Sequence, residues 1–108
     1  MVTVETIDLR EPVRIEQKFN NAIQRLGGIL DTLILCHGVI VEKGVTNCTI
    51  PAFDQSMLVN VRSMMHLVSL ATPFLKVQEK SSITILTSSQ GVKPDPKSPV
   101  NSIAAAMV

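Results

Sequence analysis

Two short apolar runs, ILDTLILCHGVI at 29–40 and SSITILT at 81–87, constrain this chain most. Each is nearly continuous rather than alternating, the pattern of a strand buried on both faces, and both faces are buried in parallel sheets. Between them lies PAFDQSMLVNVRSMMHLVSLATPFL. Its Met57, Val61, Met64, Val68 and Ala71 fall along one stripe, which predicts a helix over 52–75, with Pro73 able to kink it. Strand, long helix, strand is a crossover unit, and such units are right-handed and parallel.

The flanks extend the alternation. VTVETIDL at 2–9 alternates polar and apolar β-branched residues and predicts a further strand. In REPVRIEQKFNNAIQRLGG, Val13, Ile15, Phe19, Ile23 and Leu26 recur at helical spacing. Pro12 suits a first turn and Gly27-Gly28 a C-terminal stop, so a helix is expected over 11–26. VEKGVTNCTIP and SSQGVKPDPKSP read as loops, and VNSIAAAMV as the start of a last helix. The resulting class is α/β, in one domain over residues 1–108, with about three parallel strands and flanking helices.

Composition removes several functions. Ten basic residues against nine acidic ones, with no basic run interleaved with aromatics, give no nucleic-acid footprint. No apolar stretch is long enough to span a bilayer and no secretory leader is visible, so the expectation is a cytoplasmic chain without a membrane. The Asn47-Cys48-Thr49 glycosylation pattern is accordingly read as incidental. Cys36 and Cys48 stand in unrelated contexts, with no zinc-type spacing and no metal expected. Cys36 reads as a small buried thiol at a strand end. As neighbours on a strand, Cys36 and His37 point to opposite faces and do not make a catalytic pair. A mean hydropathy of +0.30 is high for a small chain and points to apolar surface seeking a partner or a missing piece of the same fold.

Four segments, in order, resemble the middle of a short-chain dehydrogenase/reductase, a Rossmann-type NAD(P)-dependent oxidoreductase. TIDL is similar to the end of the family's third strand, where Asp8 matches an Asp that lines the adenine pocket. GGILDTLILCHGVI is similar to the fourth strand, Asp-x-Leu-Val-Asn-Asn-Ala-Gly. Asp31, Leu33 and Gly38 match, while Leu35, Cys36 and His37 replace Asn-Asn-Ala. In FDQSMLVNVRSMMHLVSLATPFL, Asn60 matches the family's catalytic Asn. In SSITILTSSQG, spacing from Gly91 places the catalytic Ser at Ser88, and the second residue of the pair gives Ser89.

The resemblance implies NAD or NADP as cofactor, reached through Asp8 and the turn Leu35, Cys36, His37 and Gly38. It also marks departures. The family mechanism uses a Tyr as acid/base and a Lys one helical turn later, which lowers the Tyr pKa; an unperturbed Tyr near 10 is a poor base at neutral pH. Here those positions fall on Pro99 and Ile103, or one residue on, on Val100 and Ala104. The chain has no Tyr. No glycine-rich turn of the kind that cradles a pyrophosphate follows 2–9. The expectation is a truncated or inactive family member whose Asn60, Ser88 and Ser89 are remnants. The alternative is a non-catalytic module that docks on a full-length relative through the 52–75 helix, as a homo- or heterodimer, with Met57, Met64, Met65 and Leu67 facing the partner. In the family's strand order, 3-2-1-4-5-6, the strand at 2–9 would not touch the one at 29–40. Without strands 1 and 2 it is expected to move across, giving the order 3-4-5.

Overall fold

A computed structural model describes residues 2–108. The elements are α1 (Pro12–Arg25), β1 (Thr32–Leu35), α2 (Ile50–Met57), a π-helical turn (Leu58–Arg62), α3 (Ser63–Leu75), β2 (Ser82–Ile85), a 3-10 turn (Ser89–Gly91) and α4 (Pro99–Met107). They divide into two compact units, one of residues 1–35 and 63–84, the other of 36–62 and 85–108.

In the first unit, α1 starts where Pro12 fixes the backbone and loses no internal hydrogen bond. It buries Ile15, Phe19 and Ile23, four residues apart and so on one face. It stops because Gly27 and Gly28 take positive φ, +69° and +79°, letting Gly28 N–H reach the Ile23 carbonyl at 2.9 Å. Against that face α3 sets Met64, Leu67, Ala71 and Leu75, and Leu35 of β1 joins the same core. Phe19 and Phe74 meet with ring centroids 6.0 Å apart at 55°. Full burial of such side chains stabilises by about 1.5–3 kcal/mol each. Pro73 sits in the last turn of α3, and the helix continues through it to Leu75.

The α/β class is as expected, but the sheet has two strands, β1 and β2, running parallel. The predicted strand at 2–9 forms no ladder and the order 3-4-5 does not arise. Glu5 explains where the segment goes. Its carboxylate, 13% exposed, accepts from Lys18 Nζ at 3.2 Å and faces an Arg25 guanidinium nitrogen at 2.7 Å as an ion pair outside hydrogen-bond geometry. Ile7 and Leu9 pack beside them on the core. Glu5 therefore ties this segment to α1, which carries both cations. The expected double burial of the strands also fails. Every residue of β2 is exposed, and Ile34 of β1 is 60% exposed.

In the second unit, Thr49 caps α2 by accepting the Ala52 N–H at 3.3 Å. Helical structure then runs unbroken in sequence through the π turn, so the predicted helix 52–75 is observed as three consecutive segments. α4 buries Val100, Ser102 and Ala104. Ser102 Oγ accepts the Asp95 N–H at 3.0 Å, holding the loop that precedes the helix. Among the described residues, no helix is long and apolar enough to cross a membrane.

Candidate functional site

Asn60 stands in the π-helical turn, a wide turn that often marks functional positions. Both of its amide donors are engaged. Oδ1 accepts the Val39 N–H at 2.7 Å, and Nδ2 donates to the Val39 carbonyl at 2.8 Å and to Ser56 Oγ at 3.0 Å. An amide nitrogen has two hydrogens, and both are used. Ser56 is fully buried, so this end of the network is dry. Asn60 reads the backbone of the segment after β1 and has no spare donor for a substrate.

Gly38 lies against the same amide: a Cβ there would sit 3.2 Å from Asn60 Oδ1. The close approach that requires glycine is thus filled by the chain's own side chain. His37 is half-buried, and its imidazole hydrogen-bonds the Val59 backbone carbonyl. Partial burial pushes its pKa below the usual histidine value, and the hydrogen bond opposes that shift. Cys36 is exposed, against the expectation of a buried thiol, because burial alternates along 36–41 and its turn falls outward.

Ser88 and Ser89 are both exposed. Ser88 Oγ accepts the Gln90 N–H at 3.2 Å and so caps the 3-10 turn. A hydroxyl that accepts keeps its own proton, leaving Ser88 one donor for a ligand carbonyl. Ser89 uses its backbone carbonyl to hold Val92 and Lys93 N–H, at 3.1 and 2.9 Å, while its hydroxyl has no partner among the described residues.

In the first unit, Leu35 is 3% exposed within the core. Asp8 is closed by Arg10: Oδ1 accepts the Arg10 backbone N–H and Nε, each at 3.0 Å, and Oδ2 accepts an Arg10 terminal nitrogen at 2.8 Å. These bonds hold the Asp8 carboxyl down at about 2, below its ordinary 3.8. A surface depression lined by Thr72, Leu75, Lys76, Ser81, Ser82 and Ile83 contains none of the predicted site residues.

Sequence reasoning missed Asn101. Its Oδ1 accepts the Val41 N–H at 2.9 Å and its Nδ2 donates to the Val41 carbonyl at 3.3 Å. An amide in PVNSIAAAM carries no local signal of a contact sixty residues back in the chain. Val100 and Ala104, one of the two registers considered for an acid/base pair, are 4% and 2% exposed and face the interior of their unit. Pro99 and Ile103, the other register, lie further out but carry no polar side-chain atom. Neither pair supplies an acid, a base or a cation.

There is no glycine-rich turn, Asp8 is held by Arg10, and the space at Gly38 is taken by Asn60. What the second unit offers chemically here is a hydroxyl donor at Ser88, and α4 carries no acid, base or cation.

The comparisons agree on the fold. The chain is similar to a short-chain dehydrogenase from Burkholderia cenocepacia in complex with NADP, at 21% identity and TM-score 0.86, covering 94% of this chain and 41% of that one. It is also similar to ElxO with NADP bound, at 16% identity and TM-score 0.87, with coverage of 97% and 42%. An NAD+-bound xylitol dehydrogenase matches at 16% identity and TM-score 0.85, covering 95% and 40%. These likenesses show the fold, and the chain spans about two fifths of the length of each structure. The family model for short chain dehydrogenases matches residues 1–104. With nearly its whole length matched, the chain belongs to the short-chain dehydrogenase family.

Proposed function

We propose that this chain is a non-catalytic form of a short-chain dehydrogenase: an oxidoreductase scaffold, part of one NAD(P)-binding Rossmann-like domain, that does not turn over on its own residues. The observation that carries this reading is the state of its polar groups. Asn60 spends both amide hydrogens on Val39 and Ser56, and α4 presents no acid, base or cation. Reduction of a carbonyl needs a proton as well as a hydride, and Ser88 without a base and a cation does not supply one. The NADP and NAD+ of the similar structures support a nicotinamide dinucleotide as the ligand class. Within these residues, Asp8 and the 35–38 turn are the groups left to contact it. The two free cysteines fit a reducing compartment such as the cytoplasm.

The test is an amide-resolved NMR titration of the 108-residue chain with NADPH and NADH, followed by a turnover assay on a panel of carbonyl substrates. Dispersed peaks without oxidation of either cofactor support the reading. Oxidation above the protein-free rate overturns it. Shifts confined to Asp8, Gly38 and Ser88 would add cofactor binding to the scaffold role.

A second reading, docking on a full-length relative through the 52–75 helix, is favoured by one residue. Met65 is 76% exposed, while Met64 and Leu67 are buried in the first unit and have no surface to give a partner. Co-purification lost in Met65→Glu would support it.

A further inference from the structure

Residues 36–41 behave as a strand without belonging to the sheet. Burial alternates residue by residue, with Cys36, Gly38 and Ile40 outward and His37, Val39 and Val41 inward. A strand normally finds its hydrogen bonds on a neighbouring backbone. Here the partners are side chains. Asn60 takes both the N–H and the C=O of Val39, at 2.7 and 2.8 Å. Asn101 does the same for Val41, at 2.9 and 3.3 Å. In an extended chain, residues two apart direct their N–H and C=O groups to the same edge. The two amides therefore line one edge at the repeat of a strand, from the π turn and from α4. A carboxamide carries the same donor and acceptor as a peptide group, which is why Asn can stand in for one.

We propose that Asn60 and Asn101 form a two-rung side-chain ladder that replaces a β-strand along one edge of residues 39–41, and that Asn101 is the positioning residue binding α4 to this segment. The ladder holds Cys36 to Val41 extended and sets the alternation that turns His37 onto the Val59 carbonyl. It also gives α4 a polar anchor in addition to the apolar contacts of Val100 and Ala104. The opposite edge is different in kind. The N–H groups of Gly38 and Ile40 find no hydrogen-bond acceptor among the described residues.

The ladder predicts a pattern in amide hydrogen exchange, measured by NMR on the 108-residue chain. Val39 and Val41 exchange slowly, while Gly38 and Ile40, on the open edge, exchange at least about tenfold faster, the ratio that a net hydrogen bond of about 1.4 kcal/mol produces. Asn101→Ala then speeds Val41 by a similar factor and moves the carbon shifts of residues 40–42 toward random-coil values, with Val39 still protected by Asn60. In Asn60→Ala the order reverses, with Val39 fast and Val41 retained. Equal exchange at Val39, Ile40 and Val41 in the unmodified chain overturns the proposal without any variant having to fold. So does an Asn101→Ala chain in which all amides of the second unit speed up together, the signature of a merely global role.

Discussion

Gly38 and Asn60 are in contact across the turn that follows β1: a methyl group added to Gly38 would lie 3.2 Å from Asn60 Oδ1. Asn60 cannot retreat without lengthening its 2.7 Å bond from Val39 N–H. The pair is coupled, so the effect of changing one depends on the other.

Gly38→Ala should therefore destabilise the chain by about 1 kcal/mol, because overpacking outweighs the smaller gain from stiffening the unfolded chain. In an Asn60→Ala background the obstacle is gone, and the same substitution should become neutral or stabilise by about 0.5 kcal/mol. Urea unfolding of the two singles and the double gives the cycle. Equal effects in both backgrounds would mean the contact is not felt.

Gly91 meets a harder wall. A Cβ there would come within 2.9 Å of the backbone carbon and oxygen of Ala105 in α4. Backbone atoms have no flexible end to swing aside, so Gly91→Ala should cost about 2 kcal/mol and weaken the Thr87 hydroxyl bond to the Ala105 carbonyl, 3.1 Å long. Gly44, with nothing near and no positive φ, is the control, and Gly44→Ala should stabilise slightly. Thermal unfolding of both variants checks the difference in sign.

His37 makes stability depend on pH. Its pKa is lowered by burial in the folded chain, so the unfolded chain binds the proton more readily. The contribution is complete above the ordinary histidine value of about 6.5 and declines as pH falls below it. Urea midpoints from pH 8 to pH 5 should fall in the native chain and fall less in His37→Asn. Parallel profiles would count against the assignment.

Asp8 works at the acid end. Its carboxyl, held at about 2, favours the folded chain above its ordinary value of 3.8, and that preference disappears as pH drops through 2. In Arg10→Ala the carboxyl should titrate near 3.8, as followed by its side-chain carbon resonance. Because about a third of the Asp8 side chain is exposed, added salt should also shrink the shift in the native chain. An unchanged titration in Arg10→Ala would remove Arg10 as its cause.

The helices were legible because their signals are local. Pro12, the four-residue spacing of Ile15, Phe19 and Ile23, and the glycine pair set α1 within one residue at each end. The stripe from Met57 to Ala71 found the long helical stretch but not its π turn, since a wide turn leaves no mark on periodicity that short. The segment 2–9 has the composition of a strand, yet pairing needs a neighbour, and nothing local says that Glu5 will draw it toward Lys18 and Arg25 instead. Asn60 was legible only through its family context. Asn101 was not legible at all, because its contact with Val41 is made by the fold and not by spacing.

The division into units has a consequence for how the chain acquires its structure. Each unit is assembled from two separated stretches, so neither is finished by the residues that begin it. Ile15, Phe19 and Ile23 leave the ribosome long before Leu67, Ala71 and Leu75, the residues that cover them. Residues 36–62 must be synthesised in between, and their own closing partners come later still, in α4. Loop closure of this kind is slow to begin and leaves apolar surface waiting. Folding of the first unit during synthesis is therefore delayed until β2 has emerged, and Ile15, Phe19 and Ile23 stay uncovered for that interval, on a segment too short to hold a stable helix alone.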